Sequence, residues 1–187
     1  MNIYILLAHP ESDSFNGQIA ETYSHAALAK GHNVRMQKLG EMHFDPILRK
    51  GMDEQDLEPN LLAARENILW CNRWVVIFPM WWGSVPALFK GFIDRTMTSG
   101  FAFRYRENSA MWDKLLKGRS GEIIATCDAP AFWVRAVYFN SDIHTVKQAT
   151  MNYCGISPVK VTRISMVRSA SPEKRLKILR KIAGKVR

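Results

Sequence analysis

Three short segments concentrate the side chains that could bind or steer a ligand. The first, Ala8-His9-Pro10-Glu11-Ser12-Asp13-Ser14-Phe15-Asn16-Gly17, leaves an apolar run and enters a segment of helical periodicity. A helix N-terminus presents unpaired N–H groups and a partial positive charge, which suit a phosphate. Ser14 can cap that helix, while His9 and Asn16 add donors for an anion. The same residues also read as a capped helix behind a turn and nothing more. The segment is neither a Walker loop nor G-x-G-x-x-G, which speaks against a nucleotide triphosphatase and an ordinary dinucleotide site.

The second segment, Phe78-Pro79-Met80-Trp81-Trp82-Gly83-Ser84-Val85-Pro86, sets two adjacent tryptophans in a frame of proline and glycine. Exposed, they need a flat aromatic ligand or a protein partner to cover them. Buried, they form a plug beneath the following helix. Gly83 lets the backbone approach a ring closely, and N–H groups around it can meet negative charge developing there. The third segment, Thr126-Cys127-Asp128-Ala129-Pro130-Ala131-Phe132-Trp133, adds another aromatic pair and one acid. Cys127 reads as a small buried residue, and Asp128 as a turn or capping acid rather than a general base. No acid pair, Ser-His-Asp set or metal-ligand spacing stands out, so no catalytic side chain is assigned. If the chain is an enzyme, a cofactor carries the chemistry.

These segments need a scaffold, and the hydropathy pattern supplies one. Five apolar runs, 2–8, 33–38, 73–78, 120–127 and 159–164, alternate with helical segments from about Ser14 to Gly31, then over 61–71, 86–98, 139–154 and 172–186. The first run is continuous rather than alternating, as expected of a strand covered on both faces. Residues 40–59 and 101–118 read as irregular. Such alternation predicts an α/β domain spanning 1–187, with a five-stranded parallel sheet and helices on both faces. Ligands of such sheets sit at the carboxyl ends of the strands near a topological switch point. All three segments above leave strands at that edge.

The 187 residues carry 26 Lys plus Arg against 17 Asp plus Glu, a formal net charge of +9. Residues 1–159 are balanced, with 16 of each sign, whereas residues 160–187 hold ten cations against Glu173 alone. The excess therefore follows the last helix. There Leu176, Leu179, Ile182 and Val186 make an apolar stripe, with Lys174, Lys177, Lys181 and Lys185 on the solvent side. That helix is expected to pack far along the sheet from the first segment, where it could attract an acidic partner or a membrane surface. Nucleic acid is not expected as a partner, because zinc spacing, a helix-turn-helix pattern and an aromatic-interleaved basic patch are all lacking. Three cysteines without C-x-x-C suggest neither a disulfide framework nor a zinc site. The longest apolar run, Trp74 to Trp82, is about half of the ~20 residues a membrane span needs. The apolar start Ile3–Ala8 is too short for a secretory leader, so a cytoplasmic protein is expected.

Ala8-His9-Pro10 with Ser14-Phe15-Asn16, then Phe44-Asp45-Pro46-Ile47, and above all Phe78 to Arg95 continuing to Phe101-Ala102-Phe103, resemble the flavodoxin-like NAD(P)H:quinone reductase family of DT-diaphorase and its short bacterial relatives. The resemblance implies a sheet of order 2-1-3-4-5 and a non-covalent flavin, FAD or FMN, in a homodimer. It implies hydride transfer from NAD(P)H through the flavin to a quinone or similar small-molecule electron acceptor. His9, Ser14, Phe15, Asn16 and Gln18 would line the phosphate or pyrophosphate site. Pro79, Met80, Trp81, Trp82 and Gly83 would run along the isoalloxazine, with Trp82 as a stacking wall. Thr126, Cys127, Asp128 and Ala129 stand where the family has Thr-Thr-Gly-Gly, so two glycines are replaced. An alternative drawn from the same resemblance is a regulatory flavoprotein, the ancillary subunit of a potassium-efflux system.

Overall fold

The structure, a computed structural model, describes residues 1–49, 51 and 55–186. Residues 50 and 52–54 of the stretch read as irregular, and the last residue of the chain, lie outside the described residues. Strands β1 (Asn2–Leu7), β2 (Asn33–Lys38), β3 (Arg73–Pro79), β6 (Ser120–Thr126) and β7 (Val159–Ile164) form one sheet, all neighbours parallel, in the order β2-β1-β3-β6-β7. Counting only its own strands, this is the expected 2-1-3-4-5 order. The continuous apolar runs of β1 and β3 occupy its centre, where both faces are covered.

Helices α1 (Phe15–Ala29) and α6 (Pro172–Lys185) share one face, where Ile3, Ile5, Leu7 and Val75 meet Ile19, Tyr23 and Ile182. Helices α2 (Pro59–Trp70) and α3 (Ala87–Thr96) cover the other with Tyr4, Leu6, Trp74, Val76 and Phe89. Burying each such side chain stabilises the fold by roughly 1.5–3 kcal/mol before entropy is counted.

Several expectations need correction. Residues 101–118 are not wholly irregular: β4 (Phe103–Tyr105) and β5 (Trp112–Lys114) pair as a short antiparallel hairpin. It is held from outside the segment, by the Trp112 ring stacked on Tyr153 at 4.3 Å and by Trp112 Nε1 donating to the Tyr153 carbonyl. The fourth helical segment is continuous over 141–154 as expected, but its centre is π-helical and an additional short helix precedes it. A short α4 (Ala131–Ala136) carries Phe132 and Trp133, and α5 (Ser141–Ile143) runs into a π-helical stretch, His144–Asn152. Between them Phe139 and Asn140 both adopt left-handed backbone, which no regular helix tolerates. On α6 the buried positions are Ile182 and Val186, backed by Ile178 and Leu179, whereas Leu176 faces solvent.

The Phe44–Ile47 and Phe78–Arg95 blocks meet in space. A Cβ on Gly91 would lie 2.4 Å from Pro46 Cβ, so only glycine lets the loop lie on α3. The buried Arg95 guanidinium donates to the Asp45 and Asp56 carbonyls and pairs with Glu58 at 2.8 Å. A guanidinium with that many acceptors clamps a loop whose own pattern is irregular.

Candidate functional site

The chain leaves β1 for β2 on one side and β3 for β6 on the other, so a crevice opens between the carboxyl ends of β1 and β3. The first loop lines one wall. Ser14 is the N-cap of α1, its Oγ accepting from Gly17 N at 3.2 Å. The N–H groups of Phe15 and Asn16 have no acceptor among the described residues, as expected for the first helical turn. A Cβ on Gly17 would stand 1.9 Å from the Ser12 carbonyl oxygen, and only glycine there lets the loop fold back over α1. His9 Nδ1 accepts from Glu11 N at 2.9 Å, which leaves Nε2 to carry the proton of the neutral ring. Burial holds the His9 pKa below its ordinary value. The crevice therefore gains a neutral donor rather than a cation. Gln18 lies outside on the exposed side of α1.

The second loop forms the facing wall. Trp81 and Ser84 exchange two backbone hydrogen bonds of 2.9 Å around Trp82 (φ 50°) and Gly83 (φ 73°). Two left-handed central residues define a type I′ turn, which favours Asn-Gly. A tryptophan in that position is strained by of order 1–2 kcal/mol. The side chain gains no compensating contact within the chain, because Trp82 is fully exposed (102%). The N–H groups of Trp82 and Gly83 have no acceptor among the described residues. The Trp81 and His9 rings meet in a T-shaped contact across the crevice, 5.6 Å between centroids at 72°. Pro79 ends β3 opposite Thr126, and Met80 N donates to the Thr126 carbonyl at 2.7 Å.

The third loop ties the walls together and looks inward more than outward. Asn16 and Thr126 are both buried against each other through their side chains. Toward a ligand, Asn16 thus offers its backbone N–H, not its amide. The Cys127 thiol is buried, 3.3 Å from the Ala129 carbonyl oxygen and 3.5 Å from Ser165 Oγ. Asp128 Oδ1 accepts from Arg168 N at 2.7 Å, a capping role as its sequence position suggested. Ala129 is half-buried beside them.

The structure also brings in residues that no sequence motif marked. Arg175, at the start of α6, stacks its guanidinium 5.3 Å from the Phe15 ring. The expectation that the basic helix lies far from the first loop is therefore wrong. α1 and α6 run side by side on one face, and both N-termini reach the carboxyl edge. Beneath the second loop, Asp142 is fully buried and takes a bidentate pair from Arg163 at 2.6 and 2.7 Å. The same guanidinium lies 3.8 Å from Met80 Sδ. Ser141 Oγ donates to the Gly83 carbonyl, and the Tyr138 ring packs so close that a Cβ on Gly83 would meet it at 2.8 Å. An acid and an arginine 21 residues apart carry no local signal. The register of β7 alone makes them partners.

Residues 1–186 match the model of a family described as having a flavodoxin-like fold. A Haemophilus influenzae protein named an uncharacterized NAD(P)H oxidoreductase is 28% identical over 170 residues, covering 86% of this chain and 81% of its own. The guinea-pig NAD(P)H dehydrogenase [quinone] 1 is 26% identical over 204 residues, covering 94% of this chain and 72% of its own. A crystal structure of a Streptococcus mutans protein superposes with a TM-score of 0.86 at 32% identity, covering 100% of this chain and 99% of that one. Sheet order, the loops at its carboxyl edge and the match across residues 1–186 agree: the chain belongs to the family with the flavodoxin-like fold.

Proposed function

We propose that this chain is a flavin-dependent NAD(P)H oxidoreductase that passes reducing equivalents to a quinone-class acceptor. The observation that carries the reading is Trp82, held fully exposed in a strained turn beside two unpartnered N–H groups, across a crevice from a helix N-terminus. Exposed aromatic area bought with backbone strain calls for a flat ligand. The names of the H. influenzae and guinea-pig relatives support the same chemistry. The potassium-efflux alternative gains nothing from them.

The residues present fit a flavin. A phosphate would meet the N–H groups of Phe15 and Asn16, the neutral His9 Nε2–H and the Arg175 guanidinium, with Ser14 holding the helix start. Pro79, Met80, Trp81, Trp82 and Gly83 would line one edge of the ring, and Thr126, Cys127, Asp128 and Ala129 the base of the crevice. A bound flavin supplies two-electron chemistry, taking hydride from reduced nicotinamide and returning it to the acceptor. The Trp82 and Gly83 N–H groups would stabilise negative charge on the ring, and the aromatic walls would orient the nicotinamide and exclude water. FMN and FAD both satisfy these contacts, and chromatography of the extracted flavin distinguishes them.

A homodimer completes the reading. Phe132, Trp133, Val137 and Phe139 form an exposed apolar belt next to Trp82's loop, larger than isolated surface residues require. A second copy seated there would cover the belt and close the crevice. We also propose a cytoplasmic location, which free, buried cysteines without a disulfide favour.

The test is oxidation of NADH and NADPH by purified protein supplied with FMN or FAD and benzoquinone. Turnover that requires protein, flavin and quinone together supports the assignment. Oxidation no faster than with free flavin would overturn it.

A further inference from the structure

We infer that the free edge of β7 is a docking groove for an extended acidic peptide, which joins the sheet as a sixth strand beside a row of lysines. β7 ends the sheet. Gly121 N donates to the Pro158 carbonyl and Cys127 N to that of Ile164, so the even-numbered residues face β6. By the alternation of a parallel ladder, Val159, Val161 and Arg163 turn their N–H and C=O groups outward. Six residues at about 3.3 Å each give an edge of roughly 20 Å, long enough for a strand of ordinary length.

Helices flank this edge without covering it. Toward the π-helical stretch lies a hollow of about 260 Å³ with Ile143, His144, Lys147 and the half-exposed Val161 in its lining. Toward α6 lie two hollows, of about 400 and about 420 Å³, lined by Lys160, Lys174, Lys181 and Lys185 besides the paired Arg163. None of these five lysines pairs with a carboxylate among the described residues. The acids nearby are already engaged: Asp142 holds Arg163, and Glu122 accepts from Tyr23 Oη at 2.8 Å. Lys185 reaches across to donate to Thr162 Oγ1 at 3.2 Å, placing its charge over the strand.

An added strand sends alternate side chains to opposite sides. One row would face the lysines of α6, and the other the Ile143–Val161 hollow. That pattern selects a segment alternating acidic and apolar residues. It also gives the terminal +9 a location, since much of the unpaired charge lines this one edge. Lysines beside an edge strand also discourage unwanted pairing between like chains. Protection alone predicts no ligand, which separates the two roles.

The probe is a fluorescein-labelled eight-residue peptide of alternating glutamate and valine, read by anisotropy with the full-length protein. We expect saturable binding that weakens with salt, falls about tenfold in Lys181→Glu/Lys185→Glu, and is lost with glutamine in place of glutamate. Val161→Pro, whose outward N–H takes no part in the sheet, should abolish binding while leaving the circular dichroism unchanged. If that variant misfolds, the unaltered protein with a peptide N-methylated on the face toward β7 asks the same question. Undiminished binding by both would mean charge attraction without strand addition, and would overturn the proposal. So would failure of the glutamate peptide to bind, or binding of anionic phosphatidylglycerol vesicles in its place.

Discussion

Asn16 and Thr126 exchange two hydrogen bonds beneath the carboxyl edge of the sheet. The amide donates to Thr126 Oγ1 at 3.0 Å and the hydroxyl donates back to Asn16 Oδ1 at 3.1 Å. The Thr126 carbonyl meanwhile accepts from Met80 N. One threonine therefore fixes the first, second and third loops relative to one another. Both partners are buried, so neither has water as a substitute.

Thr126→Val keeps the shape and removes the hydroxyl. The stranded Asn16 amide should cost about 1–3 kcal/mol in urea unfolding. Flavin affinity should fall as well, since two walls of the crevice lose their common tie. Unchanged unfolding would show that the pair is not formed in solution.

Trp82 should separate stability from activity. Trp82→Asn places a residue suited to left-handed backbone into a type I′ turn and should raise stability by about 0.5–1 kcal/mol. Trp82→Ala should leave folding nearly intact. Both should raise the KM for the quinone, because the exposed ring is lost. A thermal scan beside steady-state kinetics checks the contrast, and a destabilised Trp82→Asn would speak against the strained turn.

Asp142→Asn would leave the Arg163 guanidinium without its counter-charge in a largely buried site. Breaking such a pair on one side costs about 3–5 kcal/mol, measurable by denaturant unfolding. Because Arg163 touches Met80 and Ser141 holds the Gly83 carbonyl, the second loop should loosen too. Faster acrylamide quenching of tryptophan fluorescence would report that.

His9 should titrate below its ordinary 6.5, because burial disfavours the imidazolium. The unfolded chain binds the proton first as pH falls. His9 thus contributes stability above about pH 6.5 that is lost on acidification toward the lower folded value. Histidine ring resonances followed by NMR give the midpoint, and His9→Asn should flatten this part of the pH–stability curve. A midpoint above 6.5 would contradict the neutral-donor assignment.

The central strands were legible because burial on both faces leaves a continuous apolar run, and the edge strands because apolar and polar residues interleave along them. β2 and β7 match their expected bounds, and β1, β3 and β6 differ by a residue at most. The aromatic second loop and the capping Ser14 were legible for similar local reasons. What stayed hidden depends on partners distant in sequence. The β4–β5 hairpin has no core of its own and needs Tyr153. The fourth helical segment begins two residues later than its spacing suggests, because Phe139 and Asn140 are left-handed, and its centre is π-helical. Arg175 beside Phe15, and Arg163 on Asp142, follow from strand order and helix placement, which spacing along the chain does not encode.

The central claim, a flavin seated between the first and second loops, is tested most directly by titrating FMN and FAD into the flavin-stripped protein while following tryptophan emission. Saturable quenching is expected, with one flavin bound per chain, largest for Trp81 and Trp82 and sharply reduced in Trp82→Phe. A titration with no saturable quenching by either flavin, in protein whose circular dichroism shows it folded, would contradict it.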